Sequence, residues 1–409
     1  MSKSFDFNLK NNVLNGIFLA CSLSLVKPYY SKFAIRLGAS DYEVALISSL
    51  PALIAVLTLI PGTLLMNRSS NKQKLTGYIT LSQKLFYAAF AILPFLPISR
   101  PSLVFVCLIG LMNFPGSLAV AGYQSTIGDI FEPQERNRAM GLRNRYSDLL
   151  KLIIVFLSGQ FLQYFAYDQT ASIRSYQVIF FVAFLIALGE VITYFKFKGL
   201  PKVSVRPDSN LFFTILKDVP KQKGLMSFMA CSLLFHFGWQ MGWPLFSIYQ
   251  INVLKADEGW LSMITIVASL ASIFSVTLWS KFADKYSNTL TLSIATLGMS
   301  ITPILYTFAS SVEVLTVLNI LPGICTAGTL LILFNLMLEV VPSENRIIYI
   351  AIYTTLINLS AAISPVIGIW IKEQTSIYVV LLVVGVLRMI GSIAFFIRSK
   401  RQNKSKEQF

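Results

Sequence analysis

Long apolar runs follow one another along almost the whole chain, separated by short polar segments. A helix needs about 20 apolar residues to cross a bilayer, and a bilayer offers no water to the backbone, so each run must pair its own N–H and C=O groups. The pattern predicts an all-α integral membrane protein. Its twelve predicted transmembrane helices cover residues 13–36, 42–66, 76–98, 102–130, 140–165, 175–196, 226–252, 258–280, 289–309, 313–340, 347–371 and 376–398.

The longest polar segment, residues 197–225, divides these spans into six and six. The sequence therefore predicts an N-terminal six-helix bundle at 1–196, a central loop at 197–225, and a C-terminal six-helix bundle at 226–409 with a short tail. Inside the loop, Pro207-Asp208-Ser209-Asn210 offers helix-capping groups before LFFTILKDV. This predicts a short amphipathic helix on the inner membrane surface; a linker without structure is the alternative.

Composition and charge agree with a membrane protein. The 409 residues are 55% hydrophobic and only 13% charged, whereas soluble domains are about one quarter charged. With the N-terminus inside, the loops and ends on that side carry 22 Lys and Arg, against 5 on the other side. Because cytoplasmic loops are enriched in Lys and Arg, we predict a multi-pass protein of the plasma (cell) membrane with both termini cytoplasmic. The net charge of +15 is thus a topology signal, and no nucleic-acid partner is expected.

The two halves repeat weakly. A shift of 216 residues places Pro28 on Pro244 and Asp41 on Asp257, a shift of 217 places Asn67-Arg68 on Asp284-Lys285, and a shift of 209 places the segment 133–135 on 342–344. These matches keep their order along the chain with small gaps. They indicate a duplicated six-helix unit and two pseudo-symmetric bundles.

The loop after the eighth span reads Ser280-Lys281-Phe282-Ala283-Asp284-Lys285-Tyr286-Ser287-Asn288. With its duplicated six-span unit, the whole chain resembles the major facilitator superfamily, whose loop motif is G-x-x-x-D-[RK]-x-G-R. Asp284 and Lys285 keep the core of that motif, while the positions of Ser280, Ser287 and Asn288 depart from it. The first half has only Asn67-Arg68, with Asn in place of Asp.

The resemblance implies a secondary transporter, not an enzyme, whose two bundles expose a central site to each side in turn. It places Asp284 and Lys285 at the cytoplasmic end of the eighth span, facing the start of the eleventh near Arg346. There they would act as a conformational latch, with Asn67 and Arg68 as the counterpart in the first half. The alternative is that these are loop charges that serve orientation only.

Cations within the apolar spans are candidates for a substrate site, because a charge at the bilayer centre costs about 2.5–3.5 kcal/mol and needs a partner or a wet cavity. Lys27 precedes Pro28 and Tyr30 in the first span, which lines the cavity in the family, and Lys151 lies in the fifth span. We predict that Lys27, Tyr30 and Lys151 contact an anionic substrate and that Asp148 takes part in coupling. The alternatives are an ion pair between helices for Lys27 and, for Lys151, a self-neutralised ladder of Arg145, Asp148 and Lys151.

One face of the seventh span, which also lines the cavity in the family, carries further candidates at spacings of three and four. His236 is a candidate for proton coupling because histidine titrates near neutral pH. The predicted substrate-binding residues are Trp239, Gln240 and Trp243 on this face, with Tyr123 and Gln124 in the fourth span and Asn335 in the tenth. Packing and hydrogen bonding between helices are the alternative roles.

These features predict a secondary active transporter of a small, partly anionic organic solute, driven most plausibly by protons. Efflux of amphipathic, drug-like compounds is one alternative, although the fifth span lacks the Gly-Pro-rich motif of many proton-driven drug exporters. A non-transporting membrane sensor or partner protein is another. The expected partners are the lipid bilayer, the solute and a proton; the protein is expected to be a monomer, with no cofactor and no metal. Three further ionisable residues lie in the third, sixth and twelfth spans, which are peripheral in the family: Lys84, Glu190 and Arg388. The sequence does not explain Arg388.

Overall fold

The computed structural model describes residues 3–68, 71–199, 215–342, 344 and 346–407, and the regular elements of this part are all helical. The first half contains α1 (Lys3–Val26 and Tyr30–Arg36, joined by a 3-10 turn at Lys27–Tyr29), α2 (Asp41–Arg68), α3 (Lys72–Ile92), α4 (Pro101–Ile130), α5 (Pro133–Phe165) and α6 (Gln169–Phe195). The second half contains α7 (Lys223–Ile248), α8 (Glu258–Lys285), α9 (Asn288–Thr307), α10 (Val312–Leu318 and Ile320–Val340), α11 (Arg346–Gln374) and α12 (Ile377–Glu407).

Each predicted span corresponds to one of these helices, and the predicted all-α membrane fold is confirmed. Among the described residues, ten helices are long and apolar enough to cross a membrane. The other two predicted spans are α3, which carries Lys72, Lys74 and Lys84, and α7, which is rich in Gly, Ser and Trp. Several helices extend beyond the apolar run, as α1 does from Lys3, because polar turns continue a helix into the interface.

The central loop is only partly described. Residues 207–214, where the amphipathic helix was predicted to begin, lie outside the described residues. Residues 215–218 are helical and lead into a 3-10 turn at Val219–Lys221. Ile215 and Val219 are buried in the core formed by residues of the second half.

The chain divides into two compact units, residues 1–207 with 257–262, and residues 208–256 with 263–409. In the first, α1 packs against α5 and α6, α3 against α4 and α6, and α2 against α4. In the second, α7 packs against α11 and α12, and α9 against α10 and α12. Trp279 of α8 donates its indole N–H to the carbonyl of Ile324 in α10 at 2.8 Å, the counterpart of the α2–α4 packing. The same neighbour relations recur in the two halves, as a duplicated unit requires.

The core of the first unit is aromatic. Phe33 of α1 makes edge-to-face contacts with Phe105 of α4 at 4.9 Å and with Phe180 of α6 at 5.0 Å between ring centroids. Such pairs contribute about 0.5–1.5 kcal/mol each beyond the burial of their area. The cluster fixes the C-terminal half of α1 against α4 and α6.

The N-terminal half of α1 is held by polar contacts. Four buried asparagines at positions 8, 11, 12 and 15 lie along one face of the helix. Asn11 donates to the Thr193 carbonyl in the last turn of α6 at 2.5 Å, and Asn8 exchanges two hydrogen bonds with the backbone of Lys198. The last carbonyls of a helix lack partners within it, so these side chains satisfy the end of α6 and the segment after it.

Each unit also buries a cation within the apolar part of a spanning helix. In the first unit, Lys84 of α3 pairs with Glu190 of α6 at 2.9 Å, and the Lys84 side chain is 1% exposed. This ion pair accounts for both residues structurally.

Arg388 of α12 is equally buried in the second unit, but its partners are backbone carbonyls. Its guanidinium donates to Met299 at 3.0 Å, to Trp239 at 3.1 Å and to Gly238 at 3.3 Å. Met299 lies four residues before Pro303 in α9, and proline has no N–H to donate to that carbonyl. Arg388 supplies the missing donor and joins α7, α9 and α12.

The Arg388→Met substitution should destabilise the protein by about 1–3 kcal/mol, because it leaves the Met299 carbonyl buried without a donor. In a Pro303→Ala background the helix regains its own N–H at position 303, so the same substitution should cost less. Thermal unfolding of the wild type, the two single variants and the double variant in detergent measures this coupling. Strict additivity of the two substitutions would contradict the assigned role of Arg388.

Candidate functional site

Lys27 lies where α1 changes from an α-helix to a 3-10 turn. Pro28 follows it and cannot donate the intrahelical hydrogen bond, so the regular helix stops at Val26 and resumes at Tyr30. The matching Pro244 does not interrupt its helix in the same way, because α7 continues through it to Ile248. The departure in α7 comes later, as a wider π-helical turn at Tyr249–Val253.

The Lys27 side chain is exposed, whereas its neighbours Val26 and Tyr29 are buried. Lys151, on the packed neighbour α5, is also exposed and acts electrostatically on Lys27. Within the described part of the chain, neither ammonium group has a carboxylate partner. Two cations of apolar helices therefore lie at accessible positions on neighbouring helices of the first unit.

The predicted ladder in α5 does not close on itself. Arg145, Asp148 and Lys151 are all exposed, and the described side chains form no ion pair between Asp148 and either cation. The carboxylate and the two cations are thus free to meet water or a solute.

The other candidates of the first unit are distributed differently. Gln124 is exposed on α4. Tyr30 is buried among aromatic rings, 6.0 Å from Phe90 by ring centroids, and does not reach the surface that carries Lys27. Tyr123 donates its hydroxyl hydrogen bond to Asn12 at 2.6 Å, and this bond attaches it to the N-terminal half of α1. The Arg143 guanidinium lies over its ring, 4.7 Å from the centroid.

The candidate face of α7 is part of the second unit. Trp243 is exposed and Trp239 is half-buried, so both can meet a solute, and Asn335 of α10 is half-buried as well. Gln240 is buried and donates to the Ile357 carbonyl of α11 at 3.1 Å, while its own Oε1 has no hydrogen-bond partner among the described residues. Gln240 therefore faces a neighbouring helix.

His236 is also buried, and its Nδ1–H is placed to donate to the Ser232 carbonyl at 2.8 Å. That bond selects the tautomer that leaves Nε2 unprotonated. The Ser232 hydroxyl lies 2.6 Å from the Tyr353 hydroxyl of α11, so a short chain of exchangeable protons leads to the imidazole.

Among the described side chains, the residues predicted to form the latch make no ion pair with one another. Asp284 and Arg346 are both exposed, and the described part of the chain shows no ion pair between them. The Lys285 ammonium lies 5.0 Å from the centroid of the Tyr286 ring. The helix α2 ends at Arg68, but the side chains of Asn67 and Arg68 lie outside the described ones.

One buried carboxylate was not singled out from the sequence. Glu258, in the first turn of α8, belongs to the first unit and is 1% exposed. Its Oε1 accepts hydrogen bonds from Arg36 at 2.8 Å and from the Tyr176 hydroxyl at 2.9 Å. Acidic residues are common at helix N-termini, where the helix dipole stabilises them, so nothing in the sequence set Glu258 apart.

Comparison with known proteins identifies the fold. A family model described as the Major Facilitator Superfamily matches residues 13–253 and 228–409, so the two halves match it separately. No curated relative matches the sequence.

Solved transporters share the architecture at low identity. A bacterial homologue of the human lysosomal transporter Spinster is 11% identical, with a TM-score of 0.71 and 98% of each chain covered. The nucleoside transporter NupG is 11% identical, with a TM-score of 0.75 and coverage of 96% of this chain and 99% of NupG. A POT family transporter in complex with 5-aminolevulinic acid is 13% identical, with a TM-score of 0.70 over 97% of this chain and 95% of that one. At such identities the similarity shows the fold alone.

Proposed function

Because the chain belongs to the major facilitator superfamily, we propose that it moves a small, partly anionic organic solute across the cell membrane by alternating access. It would act as a secondary transporter and as a monomer, with both termini in the cytoplasm. The excess of Lys and Arg in one set of loops supports this orientation.

The observation that carries the anionic substrate is the pair of exposed cations, Lys27 and Lys151. A cation kept in an apolar helix costs at least about 2.5–3.5 kcal/mol unless water, an acid or a ligand meets it. Since no described carboxylate pairs with either ammonium group, an anionic group of the substrate is the partner that the site lacks.

The position of the two cations on adjacent helices also favours a bound anion. The like charges of Lys27 and Lys151 repel each other. A carboxylate or phosphate between them would replace that repulsion by two charge-assisted hydrogen bonds. A neutral analogue of the same shape would gain neither, so the site would select by charge.

Proton coupling would use His236, with Asp148 as the accessible carboxylate of the first unit. The Tyr353 and Ser232 hydroxyls give the imidazole a route for proton exchange. Titration of His236 in a mostly apolar unit would change the charge of that unit by one. Such a change is what a coupling site needs in order to favour one state over another.

Efflux of amphipathic compounds remains the second candidate, and the aromatic face of α7 supports it. Trp239 is half-buried with its ring tilted against that of His236 at 5.4 Å between centroids, and Trp243 is 38% exposed. Accessible tryptophans bind apolar rings of many shapes. This candidate requires transport that does not depend on a negative charge.

Counterflow in liposomes with the purified protein tests the proposed function. A panel of matched solutes that differ only in charge should show uptake for the anionic members and little for neutral and cationic ones. Accumulation of the anionic member under an imposed pH gradient should follow if protons drive it. Equal uptake of the neutral and cationic members would favour amphipathic efflux, and a lack of flux for every solute would favour a sensor.

A further inference from the structure

A cavity of about 980 Å³ lies at one end of the second unit, where α7 and α9 begin and α8, α10 and α12 end. None of the predicted substrate-binding residues lines it. Its polar lining includes Ser227, Asp284, Asn288, Glu339, Arg398 and Arg401.

Arg398 is the feature of this cavity that needs an explanation. The residue is 6% exposed, and its Nε and Nη1 atoms are buried without a hydrogen-bond partner among the described residues. Its one described contact beyond the cavity is the Phe228 ring, 5.7 Å from the guanidinium carbon to the centroid. A buried, charged donor without an acceptor is costly.

The other buried arginine of α12 shows what Arg398 lacks. Arg388, three helical turns earlier, donates to three backbone carbonyls. Arg398 has no such carbonyl and no carboxylate within ion-pair distance in the part of the chain that is described. The difference leaves Arg398 with donors for an acceptor from outside the chain.

The Glu339 carboxylate acts electrostatically on Arg398, but neither acid of the lining forms a described hydrogen bond or ion pair with it. Glu339 accepts a hydrogen bond from the Asn288 side chain at the start of α9, and Asp284 is exposed at the end of α8. The N-termini of α7 and α9 both border the cavity, and their free N–H groups favour negative charge. Arg401, one turn after Arg398, adds a second cation to the same wall.

The position of the cavity along α12 indicates which kind of anion lies at the same depth in the membrane. The apolar sequence of α12 ends with Phe396-Ile397, and Arg398 follows at once. The guanidinium therefore lies at the level where the helix leaves the hydrocarbon region, which is where lipid phosphates lie.

We propose that this cavity binds a phosphate group, with Arg398 as the buried donor and Arg401 as the donor at its rim. The phosphate belongs either to an anionic lipid headgroup or to a soluble phosphate ester. A guanidinium matches such a group well, because its planar fork donates two parallel hydrogen bonds to neighbouring oxygens. The inference concerns binding only and does not depend on the transported solute.

The test measures ligand-induced thermal stabilisation of the full-length protein in detergent. Dioctanoyl phosphatidylglycerol and inorganic phosphate are titrated separately, because a ligand that binds the folded state raises its stability with concentration. The variants are Arg398→Gln and Arg401→Gln. Lys281→Gln is the matched control, since Lys281 is exposed at the same end of α8 but does not line the cavity.

Wild type and Lys281→Gln should be stabilised alike, and Arg398→Gln should bind about ten- to a hundredfold more weakly, the loss expected for a charge-assisted hydrogen bond. Stabilisation by the lipid alone would assign the site to a headgroup, and stabilisation by both probes would extend it to soluble phosphate esters. If Arg398→Gln proves too unstable, Arg401→Gln should still show weakened binding. Unchanged binding in the variants, or no response of the wild type to either probe, would overturn the proposal.

Discussion

The Lys84→Met substitution should lower the free energy of unfolding by about 3–5 kcal/mol, the cost of breaking a buried ion pair from one side. It would leave the Glu190 carboxylate buried in the first unit, where its Oε2 atom has no other partner among the described residues. The protein would be recovered in lower yield and would unfold at a lower temperature in detergent.

Removal of both charges should reverse most of that loss. The Lys84→Met/Glu190→Leu double variant leaves no stranded charge, and apolar replacement of a buried ion pair is often neutral or stabilising. Lys74→Met is the matched control, because Lys74 is exposed on the same helix, and its effect should stay within about 0.5 kcal/mol. A double variant as unstable as the single one would contradict a purely structural ion pair.

Lys27→Gln and Lys151→Gln should each weaken binding of an anionic substrate by about ten- to a hundredfold. The expected loss is that of one charge-assisted hydrogen bond, about 1.5–3 kcal/mol. Affinity for a neutral analogue should change little, and Lys27→Arg should recover part of the loss because the charge survives while the geometry changes. Competition in the counterflow assay measures these affinities.

A structural role for Lys27 predicts a different result. In that case Lys27→Gln would lower the thermal stability and affect every solute alike. Arg100→Gln is the control for loss of one positive charge, since Arg100 is exposed in the same unit at the start of α4. Normal affinity for the anionic solute together with lowered stability would remove Lys27 from the substrate site.

Hydropathy was sufficient to place the spans, because a membrane helix requires a long apolar run and little else along the sequence competes with that signal. The exposure of Lys27 and Lys151 was also accessible to sequence reasoning, since an unpaired charge in an apolar run is rare. The side of a helix that a residue faces was harder to infer. Tyr30 lies on the same helix as Lys27 but packs among aromatic rings. Gln240 lies on the same helix as Trp243 but faces α11.

The buried cations show where such reasoning stops. Arg388 is explained by a carbonyl that Pro303 leaves free in another helix, a partner without any side-chain signal in the sequence. Glu258 was hidden for a similar reason, because its partners Arg36 and Tyr176 are more than 80 residues away along the chain. Both contacts depend on the packing of helices that hydropathy can count but cannot arrange.

The most direct test of an anion-binding role for Lys27 and Lys151 is the charge selectivity of transport after both cations are replaced by acids. The wild type and the Lys27→Glu/Lys151→Glu double variant are first compared in thermal stability, which should match. Both are then reconstituted and offered anionic and cationic solutes of the same shape. We expect the wild type to prefer the anionic solute and the double variant to prefer the cationic one. An unchanged preference for the anionic solute in the double variant would contradict the assignment of Lys27 and Lys151 to the substrate site.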